Sequence, residues 1–428
     1  MKVLLIGGGG REHALALKLA QSPRLTQLYI APGNTGTAQV GTNVPIPETD
    51  HQGLIAFAKE HHIDLTFVGP EGPLVAGIVD AFQKENLVII GPNRKAAMVE
   101  GSKKWTKELM KKYGIPTAAY GDFTELNPAL AYIEAQNTYP IVIKADGLAA
   151  GKGVTIAQSY SEAKEALENC FIHQQFAEAG STVVIEAFLQ GEEATLLAFS
   201  DGTTVIPMVS AQDHKAVFDS DKGPNTGGMG AYSPAPIVTP EVEKLAYEQV
   251  LKPMIDGMKR DGIPFKGILY AGLMIHNNTP YVVEFNARFG DPETQIILPR
   301  LETDLLAIFE AIHTETLHTL TLEWSPYQTV CVVLASEGYP GNFEKHKPIT
   351  GTEFFNNKAD IQLVHAGTTP GPNNTILSNG GRVLGVVAWD KELKIAIEKA
   401  YQGVHAIHFE NKYFRTDIAQ KALRKNTE

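Results

Sequence analysis

Short apolar runs alternate with amphipathic segments over the first hundred residues of the chain. Four runs have the length and the Val, Leu and Ile content of buried strands, and they cover residues 2–6, 27–31, 64–69 and 87–91. Between them, residues 12–21 and 54–61 carry apolar side chains at helical spacing. Strands that alternate with helices are typical of an open parallel α/β sheet, and we predict this fold for the amino-terminal domain.

Glycine-rich loops follow these strands, with the sequences GGGGREH, PGNTG, GPEGPL and GPN. Ligands of open α/β sheets bind beyond the carboxyl ends of the strands, so we expect a substrate at these loops. A dinucleotide fingerprint is absent, because counting from Gly7 places Glu12 where the third glycine belongs. What remains is a glycine loop that opens a helix, which suits either a bound phosphate or a tight turn without a ligand.

The character of the chain changes at the lysine-rich segment of residues 94–113. Gly114 and Pro116 follow it and predict the end of a helix. The alternation of strands and helices stops here, and we therefore place a domain boundary between residues 102 and 103.

Residues 139–157 predict two strands joined by a glycine loop, which we interpret as a hairpin flap. Lys144 ends the first, apolar strand, where an unpaired ammonium group would be costly to bury. Lys152 lies between two glycines on the loop itself. A loop with exposed N–H groups and a lysine can close over phosphates. The alternative is a hairpin that lies on the surface in water.

Two further segments carry polar residues in unusual places. Residues 182–202 predict two strands joined by a short linker, with Glu186 inside the first and Glu192 and Glu193 at the start of the second. A linker of this kind can hold an adenine by its backbone, although a solvated hairpin explains it equally well. Residues 211–236 predict a long polar loop, and loops of this length serve a site or are disordered.

The segment VVEFNARFGDPETQ, residues 282–295, begins as an apolar strand and then places Glu284, Asn286 and Arg288 at alternate positions. Successive side chains of a strand point to opposite faces, so these three share one face. Asp291 and Glu293 follow directly. This face therefore meets either water or a charged ligand.

Composition narrows the class of function. The chain has 428 residues, 43% of them hydrophobic, which is enough for two to four domains with their own cores. Its net charge of -11 disfavours nucleic acid or an anionic membrane as the main partner. Its two cysteines form no CxxC pattern, and no stretch approaches the length of a membrane span. We expect a cytoplasmic protein with reduced thiols.

Taken in their order along the chain, these features resemble those of the ATP-grasp enzymes. Within that superfamily, the chain resembles the phosphoribosylamine-glycine ligases, also called glycinamide ribonucleotide synthetases. The resemblance covers essentially the whole chain. The motifs that carry it are GGGGREHA, PGNTGT, VGPEGPL, IKADGLAAGKGV, GPNTGGMGAYSP, NARFGDPETQ, VCVVLASEGYP and HAGT.

The resemblance implies a multidomain α/β and α+β fold in three parts. Residues 1–102 would form the amino-terminal α/β substrate domain with an open parallel sheet. Residues 103–326 would form the ATP-grasp domain, with a mobile flap subdomain at about 122–190. Residues 327–428 would form a small carboxyl-terminal domain.

The resemblance also implies roles for particular residues. Arg288 and Lys144 would be catalytic, and Glu284 and Asn286 would hold the metal. The residues implied to bind ATP are Lys103, Lys144, Gly147, Gly151, Lys152, Gly153, Glu186, Phe188, Leu189 and Glu193. The residues implied to bind the other substrates are Gly9, Gly10, Gly33, Asn34, Glu71, Asp213, Lys215, Gly228, Asp291, Pro292 and Glu293.

The implied reaction joins glycine to 5-phosphoribosylamine. ATP would phosphorylate the glycine carboxylate, and the amine would attack the glycyl phosphate to give glycinamide ribonucleotide, ADP and phosphate. The flap and the 211–236 loop would shield the acyl phosphate from water. Another ATP-grasp carboxylate-amine ligase, or a carboxylase, is the alternative. A nucleotide-binding regulator without catalysis would not need the metal-binding face.

The implied cofactors are ATP with Mg²⁺ or Mn²⁺, and the implied assembly is a monomer, with a dimer as the alternative. One feature departs from the superfamily. Many ATP-grasp enzymes carry another metal-binding acid on the strand that precedes the metal-binding strand. Here that strand is ILYAGLMIH, which has no acid, so the sequence leaves open how a second ion would be completed.

Overall fold

The computed structural model describes residues 1–148 and 153–425, and its amino-terminal part is a five-stranded parallel sheet. The strands lie in the order β3-β2-β1-β4-β5. They are β1 (Lys2–Gly7), β2 (Gln27–Pro32), β3 (Thr42–Asn43), β4 (Leu65–Val68) and β5 (Ile89–Ile90). The helices are α1 (Gly10–Leu19), α2 (His51–Glu60), α3 (Glu71–Ala76), α4 (Ile78–Lys84) and α5 (Arg94–Gly101). The predicted open parallel sheet is therefore present.

Strand β1 shows why its sequence is apolar at every position. Leu4 and Ile6 pack into one hydrophobic core, whereas Val3 and Leu5 pack into another on the opposite face. A parallel sheet that is covered on both faces needs continuous apolar runs rather than alternating ones. The glycine loops then emerge at the carboxyl ends of these strands.

The predicted lysine-rich helix is two helices, α5 and α6 (Lys103–Tyr113). Ser102 separates them, and its hydroxyl accepts a hydrogen bond from Trp105 N over 3.1 Å as the N-cap of α6. The flap subdomain follows as a sheet in the order β6-β9-β7-β8 with two helices. Its elements are β6 (Tyr120–Phe123), α7 (Leu126–Gln136), β7 (Ile141–Ala145), β8 (Val154–Ala157), α8 (Tyr160–Phe171) and β9 (Val183–Ala187).

The predicted hairpin of β7 and β8 is confirmed, because the two strands pair antiparallel from Ile141 opposite Ala157 to Lys144 opposite Val154. A second antiparallel sheet, β11-β10-β16-β17, forms the base of the cleft described below. Its strands are β10 (Glu192–Asp201), β11 (Val205–Pro207), β16 (Lys266–His276) and β17 (Thr279–Asn286). The helices of this part are α9 (Pro240–Ala246), α10 (Lys252–Arg260), α11 (Glu293–Ile297) and α12 (Leu305–Thr314).

The long polar segment of residues 211–236 is more ordered than a loop. It contains β12 (Gln212–Asp213), the hairpin of β13 (Ala216–Phe218) and β14 (Lys222–Asn225), and β15 (Gly230–Ser233). The prediction of a continuous loop is wrong, because β15 pairs with a strand from the carboxyl-terminal region. The sheet that contains β12 and β15 continues into β18 (Gln328–Ser336), β23 (Arg382–Asp390) and β20 (Ile361–His365), and so crosses the predicted boundary at residue 326.

The carboxyl-terminal elements complete the fold. They are β18 (Gln328–Ser336), β19 (Pro348–Ile349), β20 (Ile361–His365), β21 (Thr368–Pro370), β22 (Ile376–Ser378), β23 (Arg382–Asp390), α13 (Leu393–Ala406), β24 (Lys412–Tyr413) and α14 (Gln420–Lys425). A small sheet, β19-β22-β21, lies beside the larger one. Within the described residues, no helix has the length and apolar character needed to cross a membrane.

Candidate active site

A cleft of about 500 Å³ is lined by residues from the amino-terminal part, the flap, the β16–β17 sheet and the carboxyl-terminal part. Its position between these parts brings together most of the predicted site residues. Those that line it are Glu71, Lys103, Lys144, Gly147, Gly153, Glu186, Phe188, Leu189, Glu193, Asp213, Lys215, Glu284, Asn286, Arg288, Asp291 and Glu293. The predicted residues Gly151 and Lys152 lie outside the described residues.

Lys144 is buried at the end of β7, but its ammonium group is paired. Lys144 Nζ lies 2.9 Å from Glu186 Oε1 and donates to Val283 O over 3.0 Å. The other oxygen of Glu186 lies 3.0 Å from Nζ of Lys107, which is buried on α6. Burial, which Glu186 opposes, lowers the pKa of Lys107 to about 8. One buried carboxylate thus compensates two ammonium groups, which explains how a lysine can end an apolar strand.

Lys103 lies at the same end of the cleft, at the first residue of α6. Its Nζ donates to Gly147 O over 2.9 Å, at the point where the flap hairpin leaves β7. Burial lowers the pKa of Lys103, with Glu284 opposing. Together with Lys144, it gives this end of the cleft two cationic groups that can meet an anionic ligand.

Glu284 and Asn286 lie two residues apart on β17 and share one face, opposite Gly272 and Tyr270 of β16. Burial favours the neutral form of Glu284, but Lys215 and the other nearby lysines outweigh it and lower its pKa, so the group is ionised. Among the described residues, no group of three or more His, Cys, Asp or Glu side chains is placed to hold a metal. The donor set of one carboxylate and one amide fits a hard cation that takes its other ligands from phosphate and water.

Lys215 lies between two carboxylates, Glu193 of β10 and Glu284 of β17, whose strands flank β16 in one sheet. Its Nζ is 2.7 Å from Glu193 Oε2 and 3.9 Å from Glu284 Oε1. Burial opposes its charge, but these carboxylates raise the pKa of Lys215 well above its ordinary value. The pKa of Asp213 is raised to about 7 by burial, although Lys215 favours its ionised form. This part of the cleft therefore holds one fixed cation and an acid that titrates near neutral pH.

Arg288 lies just beyond the end of β17, so only two of the three polar residues of the predicted face are within the strand. Its guanidinium is held by two carboxylates of the amino-terminal part. Arg288 Nε lies 3.3 Å from Glu71 Oε2, and Nη2 lies 2.8 Å from Glu100 Oε1. Burial favours the neutral form of Glu71, but Arg288 and Arg11 outweigh it and lower the pKa of Glu71 to about 2. Burial raises the pKa of Glu100, with Arg288 opposing.

Tyr270 connects Arg288 to Glu293. The guanidinium carbon of Arg288 is 5.8 Å from the centre of the Tyr270 ring, and the hydroxyl of Tyr270 donates to Glu293 Oε1 over 2.9 Å. Burial and the nearby Glu293 raise the pKa of Tyr270 well above its usual range, so the hydroxyl stays a donor. The Glu293 carboxylate is thereby fixed at the floor of the cleft.

The amino-terminal glycine loop meets carboxylates of the chain itself. Gly9 N donates to Glu12 Oε2 over 2.7 Å, and Arg11 N donates to Asp291 Oδ2 over 3.3 Å. Burial opposes the charge of Asp291, but Arg382 and Arg11 lower its pKa overall. Two N–H groups at the start of α1 thus already donate hydrogen bonds to carboxylates of the protein. The predicted binding of a ribose phosphate by Gly9 and Gly10 stays a prediction.

Asn34 organises the loop after β2 rather than presenting a free amide. Its Oδ1 accepts hydrogen bonds from the N–H groups of Gly36 (2.8 Å) and Thr37 (3.0 Å). Its Nδ2 donates to Gly8 O over 3.0 Å and to His365 O over 2.9 Å. The donors and the acceptor of this side chain are thus already used by the protein, and the predicted binding of a substrate by Asn34 stays a prediction. Gly33 beside it has φ +72°, a conformation that the turn requires.

Gly228 of the GPNTGG motif packs directly against Pro292. Its φ is +119°, and a Cβ atom there would overlap the proline ring. Arg382 of β23 fixes the same contact, because its Nη1 donates to Gly227 O (2.8 Å) and to Asp291 O (2.6 Å). The two predicted substrate-binding residues Gly228 and Pro292 are thus adjacent, and the carboxyl-terminal part holds them together.

The sequence did not predict several residues of the cleft, among them Glu100, Lys107, Tyr270 and Arg382. Glu100 and Lys107 lie on helices whose charged residues resemble those of any solvated surface. Tyr270 offered the one available signal, because it lies in an apolar strand directly opposite Asn286 in the antiparallel register. Arg382 comes from a region in which the sequence marked no site.

Comparison with known proteins assigns all three parts of the chain to one family. Residues 1–100, 101–294 and 329–421 match the models of the N domain, the ATP-grasp (A) domain and the C domain of phosphoribosylglycinamide synthetase. The chain belongs to the phosphoribosylglycinamide synthetase family. It is therefore an ATP-grasp ligase, and the fold, enzyme class and family predicted from the sequence are confirmed.

Individual relatives agree along their full length. The chain is 48% identical to phosphoribosylamine–glycine ligase of Rhizobium meliloti (strain 1021) over 427 residues, which cover 100% of both chains. It is 49% identical to the ligase of the same name from Halalkalibacterium halodurans, over 99% of this chain and 97% of that one. The crystal structure of phosphoribosylamine–glycine ligase from Thermotoga maritima superposes with a TM-score of 0.85 at 32% identity and covers 97% of this chain and 100% of that one.

Proposed function

We propose that this enzyme joins glycine to 5-phosphoribosylamine, with glycyl phosphate as the intermediate and glycinamide ribonucleotide, ADP and phosphate as products. The observation that carries this proposal is the full-length similarity to enzymes named for this ligation. The cleft supports it, because cationic groups, a carboxylate–amide pair and Arg11 and Glu71 of the amino-terminal part converge there. The enzyme would thereby serve purine biosynthesis.

ATP is proposed to lie between the flap and the β16–β17 sheet. Lys103 and Lys144 would contact its phosphates, and Phe188 and Leu189 of the linker after β9 would cover the base. Phe188 is 39% exposed, which leaves an apolar ring free to pack on a ligand. Leu148 and Ile156 of the flap are exposed on the same cleft, and we propose that the flap closes over the nucleotide.

Glu284 and Asn286 would hold Mg²⁺, which neutralises charge on the phosphates when it is bound. Arg288 would contact the transferring phosphoryl group or the carboxylate that receives it. Its planar guanidinium, which we call the fork, can donate two parallel hydrogen bonds to either oxyanion. No side chain acts as a nucleophile in this scheme. The chain contributes positions and fixed charges, as in phosphoryl transfer generally.

The second half of the reaction needs a free amine at the acyl phosphate. Asp213 lies in the cleft with a pKa of about 7, so near neutral pH it can take a proton from an incoming ammonium group. Asp291, Glu293 and Gly228 would position the substrates around it, and the amino-terminal loops would seat the ribose phosphate.

We also propose the domain boundaries at residues 102/103 and 326/327. Strands β12 and β15 precede the second boundary but belong to the main sheet of the carboxyl-terminal part.

An assay of phosphate release from ATP tests the proposed function. Glycine and freshly generated 5-phosphoribosylamine are supplied separately and together, with Mg²⁺ throughout. Sustained release only with both substrates, together with equal amounts of ADP and glycinamide ribonucleotide, is the expected result. Equal turnover with another acid or amine, or with bicarbonate alone, would assign the chain to a different ATP-grasp reaction.

A further inference from the structure

The guanidinium of Arg288 is held by the domain that we propose for the other substrate. Glu71 begins α3 and Glu100 lies at the end of α5, both in the amino-terminal part of the chain. Arg288 itself follows the metal-binding strand of the ATP-grasp part. Arg288, which we propose to act when ATP phosphorylates glycine, is therefore oriented by carboxylates from outside the ATP-grasp domain.

Glu100 makes the tighter of the two contacts. Its side chain is 7% exposed and lies 2.8 Å from Arg288 Nη2, whereas that of Glu71 is 32% exposed and lies 3.3 Å from Nε. Glu71 is also 3.8 Å from Arg11 and so divides its charge between two arginines. The attraction between opposite charges is stronger when they are close together and shielded from water, so Glu100 has the larger influence on the guanidinium of Arg288.

Each oxygen of Glu100 has its own partner. Oε1 forms the ion pair with the guanidinium, and Oε2 accepts a hydrogen bond of 2.7 Å from the backbone N–H of Ala287. Ala287 lies between Asn286 and Arg288 in the sequence. One buried carboxylate therefore fixes both the backbone that follows the proposed metal ligand and the side chain two residues beyond it.

The contacts leave part of the fork available. In the described structure, Nε donates to Glu71, Nη1 donates to Phe289 O over 3.3 Å, and Nη2 forms the ion pair with Glu100. Arginine has five N–H donors, so two remain for an oxyanion. The plane of the guanidinium sets the direction of these two N–H groups. Glu71 and Glu100 hold that plane in place, because they contact Nε and Nη2 on one edge of it.

We propose that Glu100 is a positioning residue that sets the orientation of the Arg288 fork for phosphoryl transfer. The amino-terminal domain thereby takes part in the step that precedes the attack of its own substrate. This inference rests on the role proposed above for Arg288. A misplacement of about 1 Å costs on the order of 100-fold in rate, so the contact can matter to catalysis without touching the substrate.

Glu100→Gln tests the contact with little change in shape. The amide oxygen can still accept from Ala287 N, but the NH₂ group then faces Nη2 and cannot accept from it. ADP formation in a single turnover with ATP, Mg²⁺ and glycine, without the amine, isolates the first half-reaction. We expect this rate to fall by about 10- to 100-fold, with ATP affinity by calorimetry unchanged.

A double-mutant cycle shows whether Glu100 acts through Arg288. Arg288→Lys keeps the charge but has no fork to orient, so Glu100→Gln should add less than about twofold in that background. Full additivity of the two losses would overturn the proposal, and so would an unchanged rate in Glu100→Gln alone. If Arg288→Lys itself retains the full rate, the proposed role of Arg288 fails, which is a separate result.

Asp201→Asn is the matched control for the loss of a buried carboxylate. Asp201 is 1% exposed at the far end of β10, and it accepts hydrogen bonds from the backbone N–H groups of Thr204 and Leu317. Its replacement should lower the unfolding temperature and leave the single-turnover rate unchanged. A comparable loss of rate in this variant would mean that the Glu100 effect reflects general destabilisation, and it would overturn the proposal.

Discussion

Lys144 and Glu186 form an ion pair at the edge of the ATP-grasp cleft, with Nζ 2.9 Å from Oε1 and both side chains less than a tenth exposed. The pair has a third member, because Lys107 lies 3.0 Å from the other carboxylate oxygen. Glu186 would therefore keep a cationic partner if Lys144 were removed. This arrangement separates the effect of Lys144 on the fold from its effect on the nucleotide.

Lys144→Met should weaken ATP binding and leave the protein folded. A hydrogen bond from a charged group contributes roughly 1.5–3 kcal/mol, so we expect ATP affinity to fall about 10- to 100-fold in calorimetry. Lys107→Met is the matched control, since it removes the other lysine from the same carboxylate. A loss of the same size in both variants would indicate that Glu186 organises the cleft as a whole and that Lys144 has no special contact with phosphate.

Two variants of the segment around β17 should fail in different ways. Glu284→Gln is nearly isosteric and removes the charge that attracts the metal, so activity should fall and recover in part at high Mg²⁺ by mass action. Arg288→Lys keeps its charge and loses the fork, so added Mg²⁺ should not restore its rate. The loss of one contact with an oxyanion lowers the rate on the order of 100-fold or more. Initial rates over an Mg²⁺ titration distinguish the two. The same response in both variants would contradict the assigned roles.

The sequence predicted the elements of the site better than their partners. Glu284 and Asn286 stood out because alternation along one strand is a local property, and β17 places them on one face as expected. The contact of Arg288 with Glu100 joins residues 188 positions apart, and it depends on how the domains pack. No periodicity within α5 or β17 carries that information.

Lys107 shows a second limit. It lies in KKWTKELMKK, where five lysines of similar appearance share one helix, yet its side chain is only 2% exposed. Burial of this lysine is decided by Glu186 and Thr117, which come from other segments. The long loop 211–236 was mistaken for a similar reason, because its short strand β15 is stabilised by pairing with β18 almost a hundred residues later. Pairing of this kind leaves little local signal in a four-residue segment.

Two buried histidines should make the protein sensitive to acid. His13 and His365 pack edge to face, and His13 Nδ1 accepts a hydrogen bond of 2.8 Å from His365 N. Burial, with a smaller effect of the neighbouring His365, lowers the pKa of His13 to about 3, and burial lowers that of His365 to about 4. The unfolded chain binds protons below about pH 6.5 while the folded chain does not, so stability is lost as the pH falls from that value.

Between pH 6.5 and pH 5, the free energy of unfolding should fall by about 2 kcal/mol for each of these histidines. Urea unfolding at pH 7 and pH 5 measures the difference. His13→Asn keeps an acceptor near Nδ1 and cannot titrate, so it should reduce the pH dependence by about 2 kcal/mol, the contribution of one histidine. His62 is exposed, and His62→Asn should leave the dependence as it is. An unchanged pH dependence in His13→Asn would show that other groups control the acid response.

The contact between Gly228 and Pro292 should be more sensitive to substitution than the residues beside it. Gly228 has φ +119°, which strains any other residue, and a Cβ there would also overlap the proline ring. Gly227 beside it offers a matched control, because its φ is not in that region and a Cβ would meet only the end of the Arg382 side chain, 3.0 Å away.

Gly228→Ala should therefore destabilise the protein by about 1–3 kcal/mol and displace the GPNTGG segment from the turn at Asp291. Because Asp213 and Lys215 lie on the same segment of the chain, we expect the KM values for glycine and the amine to rise while ATP affinity changes little. Gly227→Ala should affect both quantities only slightly, since the arginine side chain can move. Steady-state kinetics with glycine varied, beside calorimetry with ATP, measures the two effects. Equal losses of glycine and ATP binding in Gly228→Ala would mean that the segment supports the whole cleft rather than the binding of the other substrates alone.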